Sequence, residues 1–332
     1  LQGGLAGGVL LVGMLMVFGK RGGIVLVHTG VGLLMLSELI VGLTAVEEEI
    51  QLGEHQTAVF ARDTRAVELA ITDPTPKDHD DVVVIPGRLL TKGSTITDPQ
   101  LPFNVEVVEF YKNSSPPRPV EVVKIDNPAT DGIGKQMVVQ AARSAGGAEA
   151  SQGIDIAAAY LRFTPKDRSD QRTDGSEPAT YLLSQYFGEG SMLPNIREDF
   201  AESVAVGDKT YQVSLRFKRN YKPYAVKLLD VRKDDYIGTR TPRSYSSDVE
   251  LVDHRNQAQR KAHIWMNNPL RYAGETFYQS GYNERSGKQI STLQVVKNTG
   301  WMIPYVSCMI VATGMLVHFL MAMLRFLRRV QD

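Results

Sequence analysis

Residues 24–43 read IVLVHTGVGLLMLSELIVGL, and this apolar stretch constrains the fold more than any other part of the chain. As a helix rising about 1.5 Å per residue, it is long enough to cross the roughly 30 Å hydrocarbon core of a bilayer. Its two ionisable side chains are His28 and Glu38. Such groups cost about 3 kcal/mol or more in hydrocarbon and usually mark a functional site. The stretch predicts a transmembrane helix with a functional histidine, and Glu38 is expected near the outer interface.

Two further apolar segments complete the membrane plan. Residues 5–18 are too short for a full span and suggest a helix truncated by the start of the sequence, while residues 303–324 are long enough. Basic residues lie at Lys20–Arg21, in a glycine-rich turn, and again after residue 324. Because cytoplasmic loops carry the excess of Lys and Arg, we expect a multi-pass protein of the plasma (inner) membrane with its large domain outside. The predicted division is 1–45 (two helices), 46–300 (outer domain), 301–324 (last helix) and 325–332 (basic tail).

The outer domain is predicted to be mainly antiparallel β. Short alternating or β-branched runs are separated by Pro, Gly, Asp and Asn, as is typical of strands and turns. Glu47–Glu49 are interpreted as a cap where the chain leaves the membrane. Mobile insertions are expected near 113–180, with a short helix at 135–143. The predicted strands are 103–111, 120–125, 158–163, 211–218, 224–231, 247–252 and 290–296.

Composition excludes several classes of function. Lys and Arg together number 37, as do Asp and Glu, so no basic excess points to nucleic acid as a partner. Cys308 is the one cysteine, which excludes an intramolecular disulfide, a CxxC redox pair and a CxxCH haem-attachment motif. Asp78–Asp81 contains side chains of the types that bind metal ions, but this charged stretch is interpreted as a solvent-exposed turn. Ser247, Asp248 and His254 are triad residue types without the glycines of a nucleophile elbow, so no hydrolase is predicted.

Residues 222–282 carry a family resemblance. The motifs are Pro223–Tyr224, Tyr236–Gly238, Pro242-x-x-Tyr245-x-Ser247, and Asn268–Leu270 followed by Gly274 and Phe277–Ser280; the strand Leu293–Val296 then leads into the last apolar segment. The stretch resembles the ResB-like cytochrome c biogenesis family, the membrane subunit of the system II haem-attachment machinery. Without the family resemblance, the residues from Asn268 onward predict a β-hairpin near the membrane with a structural role. A direct contact with haem or apocytochrome is the alternative.

The resemblance implies a role for His28. In this family the helix before the outer domain carries a histidine that ligates haem, and His28 occupies the matching place. Neutral imidazole is a common axial ligand of haem iron. The alternative is a histidine that only hydrogen-bonds a neighbouring helix. Of the outer histidines His55, His79, His254 and His263, each could contact haem and no spacing favours one.

The position of His318 along its helix, without the family resemblance, makes it a second candidate site residue. It lies about 9 Å from the expected inner end of its helix, and His28 lies about 6 Å from the inner end of its own, so the two are expected at similar depth. Gly32 and Gly314 each lie one turn further out on the same face and would leave room for a flat ligand. We hypothesise one haem pocket lined by all four, with His318 as second ligand or propionate contact. The alternative places His318 near the inner interface beside the arginines.

The implied function is that of a ResB-like subunit that binds b-type haem in its membrane helices and hands it on. The implied partners are a ResC/CcsA-type haem-handling membrane subunit, apocytochrome c, thiol-reducing proteins and the lipid bilayer, with no nucleic acid. The chain would be a non-autonomous part of a holocytochrome c synthase (haem lyase), since Trp265 and Trp301 stand alone and no tryptophan-rich haem-handling motif is present. The alternative is a membrane-anchored scaffold or apoprotein-binding module without its own haem site.

Overall fold

The computed structural model describes Gly13 and residues 22–144, 154–166, 178–188, 200–207, 209–239, 241–285 and 287–331. The chain forms two compact units. Unit 1 contains the described residues up to Ala58 and those from Pro223 onward, and unit 2 contains those from Val59 to Lys222. The stretch 46–300, which we expected to form one domain, is therefore divided between the two units.

Two long helices belong to unit 1. Helix α1 is Gly22–Thr44, and α3 is Ile303–Gln331; the one-turn helix α2, Val120–Val123, lies in unit 2. Both long helices are apolar and long enough to cross a membrane, judged by length and composition. The predicted helix at 24–43 is confirmed, whereas the predicted segment 5–18, apart from Gly13, and Lys20–Arg21 lie outside the described residues.

The helix boundaries differ from prediction at both inner ends. Gly22 and Gly23 already belong to α1 rather than to a turn. The residues after 324, expected as a basic tail, continue α3 as far as Gln331. No Gly or Pro follows Leu324 to interrupt the helix, and Arg328 and Arg329 lie in its last turn, where cations interact favourably with the helix dipole.

The strands of unit 1 are antiparallel. Strand β1, Val46–Gly53, pairs with β16, Lys288–Lys297, which pairs with β15, Glu275–Arg285; β15 also pairs with β14, Leu270–Tyr272. Strand β12, Pro242–Asp253, pairs with β13, Ala258–Trp265, and with residues 225–235 of the long strand β11, Lys209–Asp235. Alternate side chains form the core; the buried ones include Ile50, Leu52, Val226, Leu228, Val249, Leu251, Ile264, Phe277, Leu293 and Val295.

The β1–β16 ladder positions the two long helices. Val46 pairs with Lys297, so the end of α1 and the start of α3 leave the same edge of the sheet. The hydroxyl oxygens of Thr44 and Thr299 are 3.4 Å apart at this point. The helices therefore pack side by side and run in opposite directions.

Unit 2 is also mainly antiparallel β. Its strands are β2, Thr57–Asp73 (which starts in unit 1), β3, Asp81–Pro86, β4, Thr95–Thr97, β5, Phe103–Tyr111, β6, Arg118–Pro119, β7, Met137–Val138, β8, Ala158–Pro165, β9, Thr180–Ser184, β10, Glu202–Val206, and the first part of β11. Strands β4, β5, β8 and β9 form one sheet in that order, and β10 pairs with residues 209–213 of β11. Its core is built around aromatic pairs such as Phe103 with Phe163 and Phe103 with Tyr211.

Several strand predictions are confirmed and others are wrong. Residues 103–111 form β5 as predicted, and 158–163, 247–252 and 290–296 lie within β8, β12 and β16. Residues 120–125 are not a strand, because Val120–Val123 form one helical turn that ends at Lys124 with φ 48°. Residues 211–218 and 224–231 are one continuous strand. Pro223 lies between the stretches that pair with β10 and β12, so its missing N–H interrupts neither ladder.

The acidic residues and the insertions also differ from expectation. Glu47–Glu49 belong to strand β1, and Glu48 is buried. Residues 135–143 do not form a helix; a 3₁₀ turn at Gly132–Lys135 is followed by β7. The described part of the expected mobile insertions is tied to unit 2, since the Ser114 N–H donates to the Ile156 carbonyl at 2.9 Å and Thr130 N–H to Thr180 at 2.8 Å. Residues 145–153 and 167–177 lie outside the described residues.

Candidate functional site

Small residues hold α1 and α3 together. Gly23, Gly30 and Ser37 are the buried residues of α1, seven positions apart, and they face Ser307 and Gly314, the buried residues of α3. A Cβ atom added at Gly30 would lie 2.5 Å from Val311 Cγ2 and 2.9 Å from the Ser307 carbonyl oxygen. The two backbones approach so closely at this crossing that no side chain fits between them, as is typical of small-residue contacts in membranes.

His28 lies on the other side of α1. Each residue of a helix turns by about 100°, so His28 is about 140° round from Gly23 and away from α3. Its Nδ1 atom is 2.8 Å from the carbonyl oxygen of Ile24. A carbonyl can only accept, so Nδ1 carries the proton and Nε2 presents a lone pair, with no partner among the described residues. The imidazole is exposed on the helix surface. Metal-binding histidines usually have this arrangement, in which one nitrogen is held by an acceptor and the other is left for the metal.

Among the described residues, the surface around His28 is open. Gly32 is one turn further along the same face, and no described heavy atom lies within 4 Å of a Cβ added there. The backbone at Gly32 is therefore available to a flat group bound at His28. Glu38 is also exposed, nearer the outer end of α1. The donor type, its orientation and the open neighbouring backbone all fit an axial haem ligand.

Gly314 and Gly32 have different surroundings in the helix pair. A Cβ added at Gly23 would be 2.6 Å from the His318 backbone nitrogen, so His318 is level with Gly23. His28 is five residues further along α1, but its imidazole is turned back toward Ile24, since Nδ1 lies 2.8 Å from the Ile24 carbonyl oxygen. A Cβ added at Gly314 would be 2.7 Å from Val27 N, which leaves no room there for a ligand. The similar depth of the two imidazoles stays a prediction.

The Asn268–Ser280 motif forms a β-hairpin. Ala273 and Gly274 both have positive φ, 50° and 78°, and connect β14 to β15 in a tight turn. Glu275 pairs with Lys297, so this turn lies at the edge of the sheet from which α3 departs. The structural interpretation of this stretch as a hairpin near the helices is therefore supported by its geometry.

Buried polar contacts use the remaining motif residues. The Tyr224 hydroxyl donates to the Glu275 carboxylate, and the Tyr272 hydroxyl donates to Asp253 Oδ2 at 2.9 Å. Burial of the phenol, and then its bond to Glu275, raise the pKa of Tyr224 far above its usual range. Ser247 Oγ is 2.7 Å from Ser291 Oγ, to which Gln279 Nε2 donates at 3.2 Å. These contacts join strands of unit 1 to one another.

The outer histidines occupy different settings. His55 and His254 lie in turns, and His79 lies in a loop with its Nδ1 3.2 Å from Asp78 and its Nε2 3.5 Å from Asp81. His263 is on strand β13, where its Nδ1 is 2.6 Å from Asp248 Oδ1. Among the described residues, no group of three or more His, Cys, Asp or Glu side chains is arranged to hold a metal ion. The pairing of His263 with Asp248 could not be found from sequence, because it depends on the register of β12 and β13.

Comparison with known proteins identifies one family. Residues 184–291 match the model of the ResB-like family, which confirms the resemblance over that stretch. A stretch of 104 residues is 31% identical to Protein NrfI from Wolinella succinogenes. This match covers 31% of the chain and 11% of that protein, so the chain corresponds to a small part of its relative.

Proposed function

We propose that this chain is a ResB-like subunit of a cytochrome c maturation complex, in which α1 binds haem and presents it with a partner subunit for attachment to apocytochrome c. The match of residues 184–291 to the ResB-like family supports the general role. The observation that carries the haem proposal is the imidazole of His28, held at Nδ1 by the Ile24 carbonyl and exposed at the surface of a membrane helix.

In this proposal haem is the transported group. It would supply the vinyl groups to which apocytochrome thiols add, and the residues of this chain would ligate and orient it. His28 Nε2 is the proposed iron ligand, and the Ile24 carbonyl fixes the tautomer. Gly32 leaves the neighbouring backbone open to the ring. His318 and Gly314 remain candidate contacts only for a group bound on another side of the helix pair.

The orientation of His28 also bears on the partner. Because α3 covers the Gly23–Gly30 side of α1, a haem at His28 would need its far face covered by a helix other than α3. A ResC/CcsA-type membrane subunit, as implied by the family resemblance, would supply that helix and a second ligand. In this arrangement haem is shared at the subunit interface. The β-strands of the chain would lie outside the membrane, where they would contact apocytochrome c and thiol-reducing proteins.

The test is an absorption spectrum of the detergent-purified protein, expressed with and without the partner subunit. Wild type is expected to show a Soret band that is lost in His28→Ala and retained in His318→Ala, because the His318 backbone packs against Gly23, on the side of α1 away from His28. A band that appears only when the partner is present would support a shared site. Equal Soret bands in wild type and His28→Ala would contradict the proposed ligand.

A second function, a membrane-anchored scaffold without its own haem site, is favoured by one observation. The family motif residues Tyr224, Ser247, Gln279 and Gly274 all serve the internal packing of unit 1. In this alternative, unit 1 would hold partners and His28 would be structural. Absence of haem from the purified complex of wild type and partner would favour the scaffold.

A further inference from the structure

Two exposed aromatic side chains lie where the sheet of unit 1 meets α3. Trp301 is in the turn before the helix and Tyr305 is in its first turn, with ring centroids 6.2 Å apart. Their exposed fractions are 49% and 59%. A Cβ atom added at Gly300 would lie 3.6 Å from Ile40 Cγ2, so this turn is near the C-terminal end of α1. Trp and Tyr are enriched at this level of membrane helices, where hydrocarbon gives way to headgroups.

Arg271 places a cation against these rings. It is the middle residue of β14, between the buried Leu270 and Tyr272, whose hydroxyl donates to the buried Asp253. Because side chains alternate along a strand, Arg271 points to the opposite face of the sheet, where it is exposed. Its guanidinium carbon is 5.4 Å from the centre of the Trp301 ring. This cation–π contact holds the arginine at the end of the hairpin that adjoins the helices.

Among the described residues, no carboxylate forms an ion pair with Arg271. Glu275 is nearby in the chain, but its carboxylate accepts a hydrogen bond from a tyrosine in the core. Glu47 shares the cross-strand row of Arg271, through Thr276 and Val296. Three strand spacings, about 14 Å, separate the two ends of that row. The positive charge is therefore available to an anion from outside the chain.

The phosphate of a phospholipid fits this position. A guanidinium recognises phosphate through two parallel N–H···O bonds, and stacking on an indole leaves its N–H edge free to make them. Trp301, Tyr305 and Met309 are four residues apart and share one face of α3, and all three are exposed. This face continues from the arginine along the apolar helix, as an acyl chain would. Free phosphate would make no use of that surface.

We propose that Arg271 and Trp301 bind the headgroup phosphate of a phospholipid in the leaflet nearest to unit 1, with an acyl chain along Tyr305 and Met309. An anionic phospholipid is preferred over a zwitterionic one, because the arginine lacks a neutralising carboxylate and a headgroup amine would be repelled. This lipid site goes beyond the proposed function, since it needs only that the two helices cross a membrane and not that haem binds. It would fix the β14–β15 hairpin on the bilayer surface.

The experiment is quenching of tryptophan fluorescence by brominated lipid in vesicles that contain the full chain. The sequence has two tryptophans, so Trp265→Phe leaves Trp301 as the one emitter. The vesicles are equimolar phosphatidylglycerol and phosphatidylcholine, with bromine on the acyl chains of one or the other. We expect quenching to show about a fivefold preference of Trp301 for phosphatidylglycerol. Arg271→Gln should remove most of it, whereas Arg243→Gln, an exposed arginine at the opposite end of β12 from Asp253, should keep it.

The other outcomes would overturn the lipid site. Equal quenching by the two lipids in the parent chain would show no preference for the anionic headgroup. A preference that survives Arg271→Gln, or that Arg243→Gln removes equally, would show a general effect of charge. Loss of the preference on adding inorganic phosphate would identify free phosphate as the ligand, and weak quenching by both lipids would place the hairpin away from the bilayer. Circular dichroism checks that each variant is folded, and none of these readouts depends on haem.

Discussion

At the residue scale, Tyr224 shows what a family motif residue contributes to this fold. Its ring packs edge-on against Tyr272 and Phe277, with centroids 5.4 and 6.0 Å away, and its hydroxyl donates to the Glu275 carboxylate. The hydroxyl is buried together with the aromatic ring, so the bond to Glu275 satisfies a donor that has no access to water. This one side chain ties β11 to the β14–β15 hairpin.

Replacing Tyr224 by Phe tests this contact. We expect Tyr224→Phe to lower the free energy of unfolding by about 2 kcal/mol, since a hydrogen bond to a charged group is lost and Glu275 remains. The control is Tyr278→Phe in the same sheet, where the side chain is 40% exposed and the loss should be small. The measurement is the unfolding midpoint of the detergent-solubilised proteins; equal midpoints for both variants would show that the bond contributes nothing.

The pH dependence of the same pair has a defined sign. The pKa of Tyr224 is raised in the folded state, so its contribution is complete below the unfolded value of about 10 and is lost as pH rises above it. The stability difference between wild type and Tyr224→Phe should therefore be constant between about pH 6 and 9. Above about pH 10 it should narrow, because the unfolded wild type ionises at Tyr224 and the variant cannot. A difference that widens there would contradict the assignment.

At the element scale, the α1–α3 pair depends on backbone contact. Gly23, Gly30 and Gly314 would each bring a Cβ atom within 3 Å of the opposite helix, most often of its backbone. Backbone cannot rotate out of the way as a side chain can, so larger residues must push the helices apart. Other glycines of α1, including Gly42, have nothing within 4 Å.

Gly30→Leu and Gly42→Leu form a matched pair on one helix. We expect Gly30→Leu to destabilise the helix pair by about 2 kcal/mol or more, because overpacking a close contact forces backbone shifts. Gly42→Leu adds the same side chain into open space and should change stability little. Thermal unfolding in detergent, followed by circular dichroism, measures both. The packing would be refuted if the two variants unfolded at the same temperature.

At the scale of the whole molecule, the two helices and the β1–β16 ladder relate unit 1 to the predicted membrane. The end of α1 and the start of α3 both adjoin this ladder, so two helices that cross a membrane would leave the ladder on one side of it. Arg325, Arg328 and Arg329 are at the far end of α3, which by the excess of basic residues on the inside predicts unit 1 on the outer side.

This orientation can be measured by thiol labelling. Ile237 is fully exposed in the turn between β11 and β12, and Cys308 is the natural cysteine to be removed first. In a Cys308→Ser chain, Ile237→Cys should react with a membrane-impermeant maleimide in right-side-out vesicles. The control Gln331→Cys, at the end of α3, should react only after the vesicles are opened. The reverse pattern would place unit 1 in the cytoplasm.

The features that the sequence determined by itself are local. An uninterrupted apolar run predicts a helix because hydrocarbon leaves the backbone no other way to pair its polar groups, and α1 matches the prediction within two residues at each end. Alternation over residues 103–107, continued by β-branched and aromatic residues as far as Tyr111, predicts β5 with its observed bounds. The valine-rich run after Pro119 was wrongly predicted to be a strand. It is too short for its periodicity to distinguish a strand from a single helical turn.

Only the tertiary structure decided which residues meet. The glycine crossing sets the helix register, and it packs Gly314 against Val27 of α1 where room for a ligand was expected. The pairing of β12 with β13 brings His263 to Asp248, fifteen residues away in the chain, and distinguishes it from the other outer histidines. The physical reason is that local sequence specifies how a segment folds, whereas register depends on close packing between segments that are far apart in the chain.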